Sequence, residues 1–235
     1  MVGYKKLIEK LHSIKQMGWV KTHRAGTTGI GKTLEDLLGI KENNIPGPNA
    51  HRIELKAGRK SVSSMLTLFT KSPLPPRANS ILLEQFGYPS SKKEGTKRLE
   101  TTVSAIDYNQ VKGEKGFKID IQDDEVRLID MNGKVLGYWT EEILRNSFER
   151  KLPKLMYIKA EARGRGSAEE FWFNEGWLLS VFDYERFIQL LKEGVILVDI
   201  RIGQYLDGRT HDHGTAFRIL PDKLDMCFTF KERVL

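Results

Sequence analysis

Cysteine is almost absent from this sequence, and that absence narrows its chemistry first. Of 235 residues only Cys227 carries a thiol. One thiol excludes an internal disulfide and any cysteine-based zinc cluster, and it fits a reducing compartment. Long apolar runs are missing too. No stretch approaches the roughly 20 residues that cross a bilayer, so no membrane partner is expected. The opening Met1-Val2-Gly3-Tyr4-Lys5-Lys6 leads into an amphipathic, charged stretch without a signal-peptide pattern, and a cytoplasmic protein is expected. Internal repeats and low-complexity tracts are also lacking.

What is present is ordinary globular material: 40% hydrophobic and 29% charged residues. The length allows one large domain or two modest lobes with a real core. The formal charge is +7 and the pI about 9.3. That balance favours a polyanionic partner, weakly, since many Lys/Glu-rich proteins are also basic.

Apolar spacing predicts a helix over 4–17, with Tyr4, Leu7, Ile8, Leu11 and Ile14 as one stripe and Gly18 as its stop. Thr33 is expected to cap a second helix with Asp36 in a capping box, ending at Gly39. Strands are expected at 62–69, 117–121, 125–129, 134–139, 154–162, 172–177, 195–202, 210–220 and 226–230. Asn132-Gly133 is the strongest hairpin signal. Helices are expected at 78–86, 141–151 and 178–192, and a loop over the polar, basic segment 87–98. Strands and helices without strict alternation argue for α+β or mixed α/β architecture.

Several stretches could carry chemistry. After Pro46-Gly47-Pro48 comes Asn49-Ala50-His51-Arg52-Ile53-Glu54-Leu55-Lys56. On a strand, Arg52, Glu54 and Lys56 share one face, with the acid and the lysine about 7 Å apart. That spacing suits a carboxylate on a metal beside an ammonium near the water it activates. The plainer reading is an edge strand with a solvated charged face. Gly26-Thr27-Thr28-Gly29-Ile30-Gly31-Lys32-Thr33 matches the phosphate-loop pattern by letter. No buried strand precedes it, which disfavours nucleotide hydrolysis. A Gly-rich turn bearing lysine at a helix start can still hold a phosphate, including one in DNA. His211-Asp212-His213 puts two imidazoles on one strand face, for a metal or for base edges in a groove. Asp199, Arg201, His211, His213 and Arg218 form a polar set among apolar strands. Such a set pairs internally around Asp199 or meets a ligand. Lys92, Lys93, Lys97, Arg98, Arg163 and Arg165 form basic loops, either solvated or following a DNA backbone.

Five blocks together resemble the MvaI/BcnI family of type II restriction endonucleases. They are Gly29-Ile30-Gly31-Lys32-Thr33-Leu34-Glu35-Asp36-Leu37-Leu38, Ile53-Glu54-Leu55-Lys56, Leu66-Thr67-Leu68-Phe69-Thr70-Lys71-Ser72-Pro73, Val198-Asp199-Ile200-Arg201-Ile202-Gly203, and the run from Thr210 to Arg218. The resemblance implies a fold similar to that of the mismatch-repair nicking enzyme MutH, within the PD-(D/E)xK nucleases: a mixed sheet flanked by helices. It implies a prokaryotic monomer whose two lobes clasp double-stranded DNA, a catalytic lobe over about 1–125 and a recognition lobe over about 126–235. Mg²⁺-dependent cleavage of a CCNGG-like site follows from it, with Mn²⁺ as a substitute and Ca²⁺ binding without cleavage. A cognate methyltransferase is implied as a system partner, not as a stable complex. Glu54 and Lys56 fall on the family's acid and lysine, and Glu35 on a supporting helix acid. The metal ligands implied are Glu54, the Leu55 carbonyl and residue 49. Asp199, Arg201, His211, His213 and Arg218 fall on strands that reach base edges, with Lys32 and Lys71 as further DNA contacts.

One position departs from the family's pattern, which has Asp five residues before the Glu. Here that residue is Asn49. A neutral carbonyl there removes a charged ligand that Mg²⁺ prefers. Cutting is therefore expected to weaken while DNA binding persists, whether Asn49 is natural or introduced. The competing readings are a DNA-binding protein without catalysis, a MutH-like nicking enzyme and a nucleotide enzyme of the phosphate-loop type.

Overall fold

The computed structural model describes residues 4–40, 53–62, 64–152 and 154–235. In chain order the elements are α1 (Tyr4–Gln16), β1 (Val20–Lys21), α2 (Gly29–Leu38), β2 (Glu54–Arg59), β3 (Leu66–Thr70), α3 (Ala78–Phe86), β4 (Tyr88–Pro89) and β5 (Lys97–Val103). There follow β6 (Gln110–Val111), β7 (Glu114–Lys115), β8 (Phe117–Ile121), β9 (Glu125–Asp130), β10 (Val135–Thr140), α4 (Glu141–Lys151), β11 (Lys154–Arg163) and β12 (Glu170–Ser180). The chain closes with α5 (Tyr184–Lys192), β13 (Ile196–Gln204), β14 (Thr210–Asp212), β15 (Ala216–Ile219) and β16 (Phe230–Arg233). This is a mixed α/β fold.

Two compact units emerge, each drawn from separated segments. Unit 1 comprises Met1–Ser64, Arg150–Phe182 and Leu224–Leu235; unit 2 comprises Met65–Glu149 and Asp183–Lys223. The expected lobe boundary near 125 falls inside unit 2, because the chain leaves unit 1 and returns to it through α4.

In unit 1 the strands run in the order β1-β12-β11-β2, with β16 also on β12. β2 lies parallel to β11, Leu155 opposite Glu54 and Tyr157 opposite Lys56. Alternation gives this sheet two unlike faces. One carries Leu55, Met156, Ile158 and Ala160, buried in a single core with Leu7, Leu11 and Ile14 of α1 and Ile30, Leu34 and Leu38 of α2. The helices' apolar stripes explain this packing. The other face carries Glu54, Lys56 and Tyr157.

Unit 2 is built on a sheet in the order β3-β15-β13-β5-β4, with β14 also on β13. Its core side holds Phe69, Phe187, Phe217 and Trp139, with ring centroids 4.8 Å apart for Phe69–Phe217 and 5.4 Å for Trp139–Phe217. The Trp139 indole donates to the Lys71 carbonyl at 3.0 Å, so a large ring is buried without an unmade bond. A second sheet, β10-β9-β8, contains the hairpin read from Asn132-Gly133.

Several local expectations change. The second helix begins at Gly29, a turn earlier than Thr33. Thr33 is instead buried within it, its hydroxyl donating to the Gly29 carbonyl at 2.8 Å and accepting from the His23 amide at 2.9 Å. Gly39 does end this helix, in the left-handed conformation at φ 71°. The helix expected over 178–192 starts only at Tyr184, because the Asp183 side chain caps it by accepting from the Arg186 amide at 2.7 Å. Leu178 and Leu179 belong to β12, whose long pairing with β11 overrides their helical spacing. The strand expected at 226–230 is displaced to Phe230–Arg233, behind a 3₁₀ turn over Pro221–Met226. β5 was not foreseen, and it pairs with β13 along six residues.

Candidate functional site

In unit 1 the acid of Glu54-Leu55-Lys56 is not solvated. β2 ends the described sheet, yet the Glu54 side chain is only 4% exposed. Its Oε1 lies 2.8 Å from Lys56 Nζ and its Oε2 lies 3.4 Å from Lys151 Nζ. Local alternation brings Lys56 to the carboxylate. Lys151 arrives differently: it ends α4, and β11, the parallel partner of β2, begins at Lys154. One buried carboxylate between two partly exposed ammonium groups leaves net positive charge, a suitable seat for a phosphate oxygen.

Leu55 turns its side chain into the core, leaving only its main chain for a ligand role. Beside Lys56, Tyr157 is buried, and burial, with Glu175 adding to it, pushes its hydroxyl up to about 12. Glu175 lies further along this face. Burial opposes its ionisation, but the Trp177 indole and the Lys60 and Lys159 ammonium groups outweigh that and hold it at about 2.

Magnesium requires oxygen ligands, preferably carboxylate and water. Glu54 is one such ligand, already surrounded by cations that balance its charge. Asn49, the other expected side-chain ligand, lies outside the described residues, as does Arg52. Among the described residues, no three His, Cys, Asp or Glu side chains stand together as a metal cluster. Glu35 is half-buried on α2, which packs on the Leu55 face of the sheet.

The carbonyls of the Gly-rich loop are tied to β2. The Gly26 and Thr27 carbonyls accept from Arg59 at 3.1 and 3.2 Å. Arg59 is itself held by the Glu169 carboxylate, at 2.7 Å from both Nε and Nη2. Lys32 pairs with Asp36 one turn along, at 2.7 Å.

Unit 2 presents a second charged group. On β13, Ile196, Val198, Ile200 and Ile202 face the core, so Asp199 and Arg201 share the opposite face. Arg201 Nε and Arg218 Nη1 lie 2.8 and 3.1 Å from Asp199 Oδ2, at ion-pair distance but without hydrogen-bond alignment. Thr102 of β5 donates to Oδ1 at 3.3 Å. The internal network centred on Asp199 therefore exists. It still leaves the Arg201 side chain 49% exposed, whereas that of Arg218 is 17% exposed. Burial lowers the Arg218 pKa below its usual value, against the pull of Asp199.

His211 and His213 join this group. Their rings meet edge-on at 4.2 Å between centroids, and Tyr205 Oη lies 3.2 Å from His211 Nδ1. Between them Asp212 serves the fold. Its carboxylate accepts from Ser72 at 2.6 Å, Asn79 at 2.8 Å, the Gly214 amide at 2.7 Å and Thr215 at 3.2 Å. Lys71 is half-buried, its amide donating to Thr215 at 2.9 Å.

The expected residues thus gather in two places. Glu54 and Lys56 meet in unit 1; Asp199, Arg201, His211, His213 and Arg218 meet in unit 2. Lys151 went unnoticed in the sequence, being 97 residues from Glu54 with no motif around it.

The family match and the solved relative place this chain among the site-specific deoxyribonucleases. The chain is a member of the MvaI/BcnI restriction endonuclease family, whose model matches residues 8–228. It is similar to the restriction endonuclease MvaI in complex with its cognate DNA substrate, with 35% identity and a TM-score of 0.87, covering 100% of both chains. It is also similar to MvaI in the absence of DNA, with 35% identity and a TM-score of 0.60, covering 100% of this chain and 99% of that one. No match is found among curated proteins. Among the described residues, no helix is long and apolar enough to cross a membrane.

Proposed function

We propose that this chain is a Mg²⁺-dependent restriction endonuclease of the PD-(D/E)xK, MutH-like kind, cutting double-stranded DNA at a short CCNGG-like site. Unit 1 carries the cutting centre and the open sheet face of unit 2 reads base edges. The observation that carries this reading is Glu54, buried between Lys56 and Lys151. The solved MvaI complex with cognate DNA supports a duplex as the substrate.

Glu54, the Leu55 carbonyl and residue 49 would hold the ion. Bound there, the ion would supply polarisation of the scissile phosphate and a lowered pKa for a water. Lys56 orients that water and takes up its hydrogen-bonding capacity. Lys151 offsets the charge that builds on the phosphate oxygens. Glu35 supports the centre only indirectly, from α2 packed on the opposite, Leu55 face of β2. The water oxygen bonds to phosphorus as the phosphorus–3′ oxygen bond breaks; the water releases its proton to solvent, the departing 3′ oxygen takes one up from solvent, and a 5′-phosphate remains. One strand is cut first, and the monomer then turns over the site for the second. Mn²⁺ replaces Mg²⁺, and Ca²⁺ supports binding alone. Lys32 and Lys71 contact the DNA outside the base-reading set. The enzyme works in a prokaryotic cytoplasm beside a methyltransferase that protects the same site without forming a stable complex.

Asn49 favours a second reading, a selective DNA binder that cuts weakly. With a neutral ligand in place of a carboxylate, metal affinity and rate both fall. The test is plasmid cleavage in Mg²⁺ by this protein and by Asn49→Asp. The Asp form is expected to cut at discrete sites at least about tenfold faster, a modest share of what one electrostatic contact contributes. Specific gel shifts in Ca²⁺ with no cutting by either form would leave only the binder.

A further inference from the structure

β5, the strand not legible in the sequence, places two more charged side chains on the open face of unit 2. Leu99 and Val103 are fully buried, which turns Arg98, Glu100 and Thr102 the other way. The β5–β13 register sets Thr102 opposite Asp199, Glu100 opposite Arg201 and Arg98 opposite Gly203. The face therefore carries two acid–arginine dyads of i, i+2 spacing on neighbouring antiparallel strands: Asp199 with Arg201, and Glu100 with Arg98.

The second dyad is only loosely satisfied within the protein. Arg98 Nη1 donates to both Glu100 oxygens at 3.5 Å, the long limit of a hydrogen bond. Glu100 is 49% exposed. Arg98 Nε is buried and has no hydrogen-bond partner among the described residues. The guanidinium lies against the ring of its cross-strand neighbour Tyr88, 5.5 Å from the centroid. The row across the sheet runs Tyr88, Arg98, Gly203, His211. Gly203 lacks the left-handed φ that would demand glycine, and a Cβ there would lie 3.1 Å from His213 Nε2. Its lack of a side chain leaves room for the His213 ring, which sets that imidazole next to Arg98 in the row.

We infer that Arg98 and Glu100 are specificity-determining residues that read a C·G pair in the major groove. The guanidinium bonds guanine N7 and O6 together, and the carboxylate accepts from cytosine N4. A surface ion pair held at 3.5 Å contributes little to stability, whereas the same two groups match both edges of one base pair. This inference rests on the reading of the open face as the base-reading surface.

The experiment measures binding in Ca²⁺ to short duplexes carrying a CCNGG site, to the same duplexes changed at one base pair at a time, and to a duplex without the site. Arg98→Ala is expected to weaken cognate binding roughly five- to hundredfold, the range of one bidentate base contact. Its binding to the siteless duplex and its salt slope stay unchanged, and discrimination flattens at one C·G position. Arg98→Lys loses the same discrimination, since an ammonium lacks the planar fork. Glu100→Gln, at an exposed position, supplies a variant that folds if Arg98→Ala does not, and it loses preference at the same base pair. A uniform loss on all duplexes with a shallower salt slope makes Arg98 a phosphate contact and overturns the inference. Unchanged selectivity overturns it too. If the parent protein prefers no sequence, the base-reading face itself fails. If Arg201→Ala loses selectivity and Arg98→Ala keeps it, only the second dyad fails.

Discussion

The two units each bury one carboxylate between two cations, and they differ in which cations these are. In unit 1 Glu54, 4% exposed, lies between Lys56 and Lys151. In unit 2 Asp199, 8% exposed, lies between Arg201 and Arg218. Both groups carry net positive charge where a polyanion could meet them. A lysine ammonium is a compact, strongly hydrated charge with rotatable donors, suited to a water or a developing oxyanion. An arginine guanidinium is a rigid planar fork that matches the edge of guanine. Charge alone therefore does not distinguish the two groups; donor geometry does. The exposures agree: Lys56 and Lys151 are 25% and 28% exposed, whereas Arg201 projects at 49%.

Removing the unit 1 acid should produce the largest effect. Glu54→Gln, made in the Asn49→Asp background, is expected to lower the single-turnover cleavage rate by at least about 10²-fold. Selective gel shifts in Ca²⁺ should persist; loss of selectivity with the rate would merge the two groups into one. Exchanging the cations comes next. Arg201→Lys should cost roughly five- to hundredfold in discrimination at one base pair, read by binding to singly altered duplexes. Lys56→Arg should slow cleavage and leave that discrimination alone. If Arg201→Lys is silent, the fork is not what reads the base.

The smallest effect concerns Glu175, a paired acid with no role in either group. Its folded pKa, about 2, lies below the ordinary 4.5. The stabilisation it brings is therefore complete above pH 4.5 and is lost as pH falls toward 2. Glu175→Gln should lower the melting temperature at neutral pH, and the deficit relative to the parent should shrink through that window. An unchanged deficit would mean that packing, not charge, is what the substitution removed.

Much of the local structure was legible. The stripes of α1 and α2 follow from helical spacing, the hairpin from Asn132-Gly133, and the placement of Glu54 beside Lys56 from strand alternation. Where sequence reading failed, a longer-range contact won. Leu178 and Leu179 read as helix, yet ten residue pairs between β11 and β12 hold them in a strand. β5 is faint in the sequence because Lys97-Arg98-Leu99-Glu100-Thr101-Thr102-Val103 has only two strongly apolar residues and follows a basic loop. Its charged alternate positions, which hid the strand, are what place Arg98 and Glu100 on the open face.

By itself the sequence determined the residue pairs separated by one strand step: Glu54 with Lys56, and Asp199 with Arg201. A backbone that alternates every residue needs no tertiary contact to put i and i+2 on one side. Only the tertiary structure decided which third and fourth residues join them. Lys151 reaches Glu54 because β11 lies parallel to β2, and Arg98 lies opposite Gly203 because β5 pairs with β13. Strand neighbours are chosen by hydrogen-bond ladders and core packing between distant segments, and those choices leave no mark at the residues they bring together.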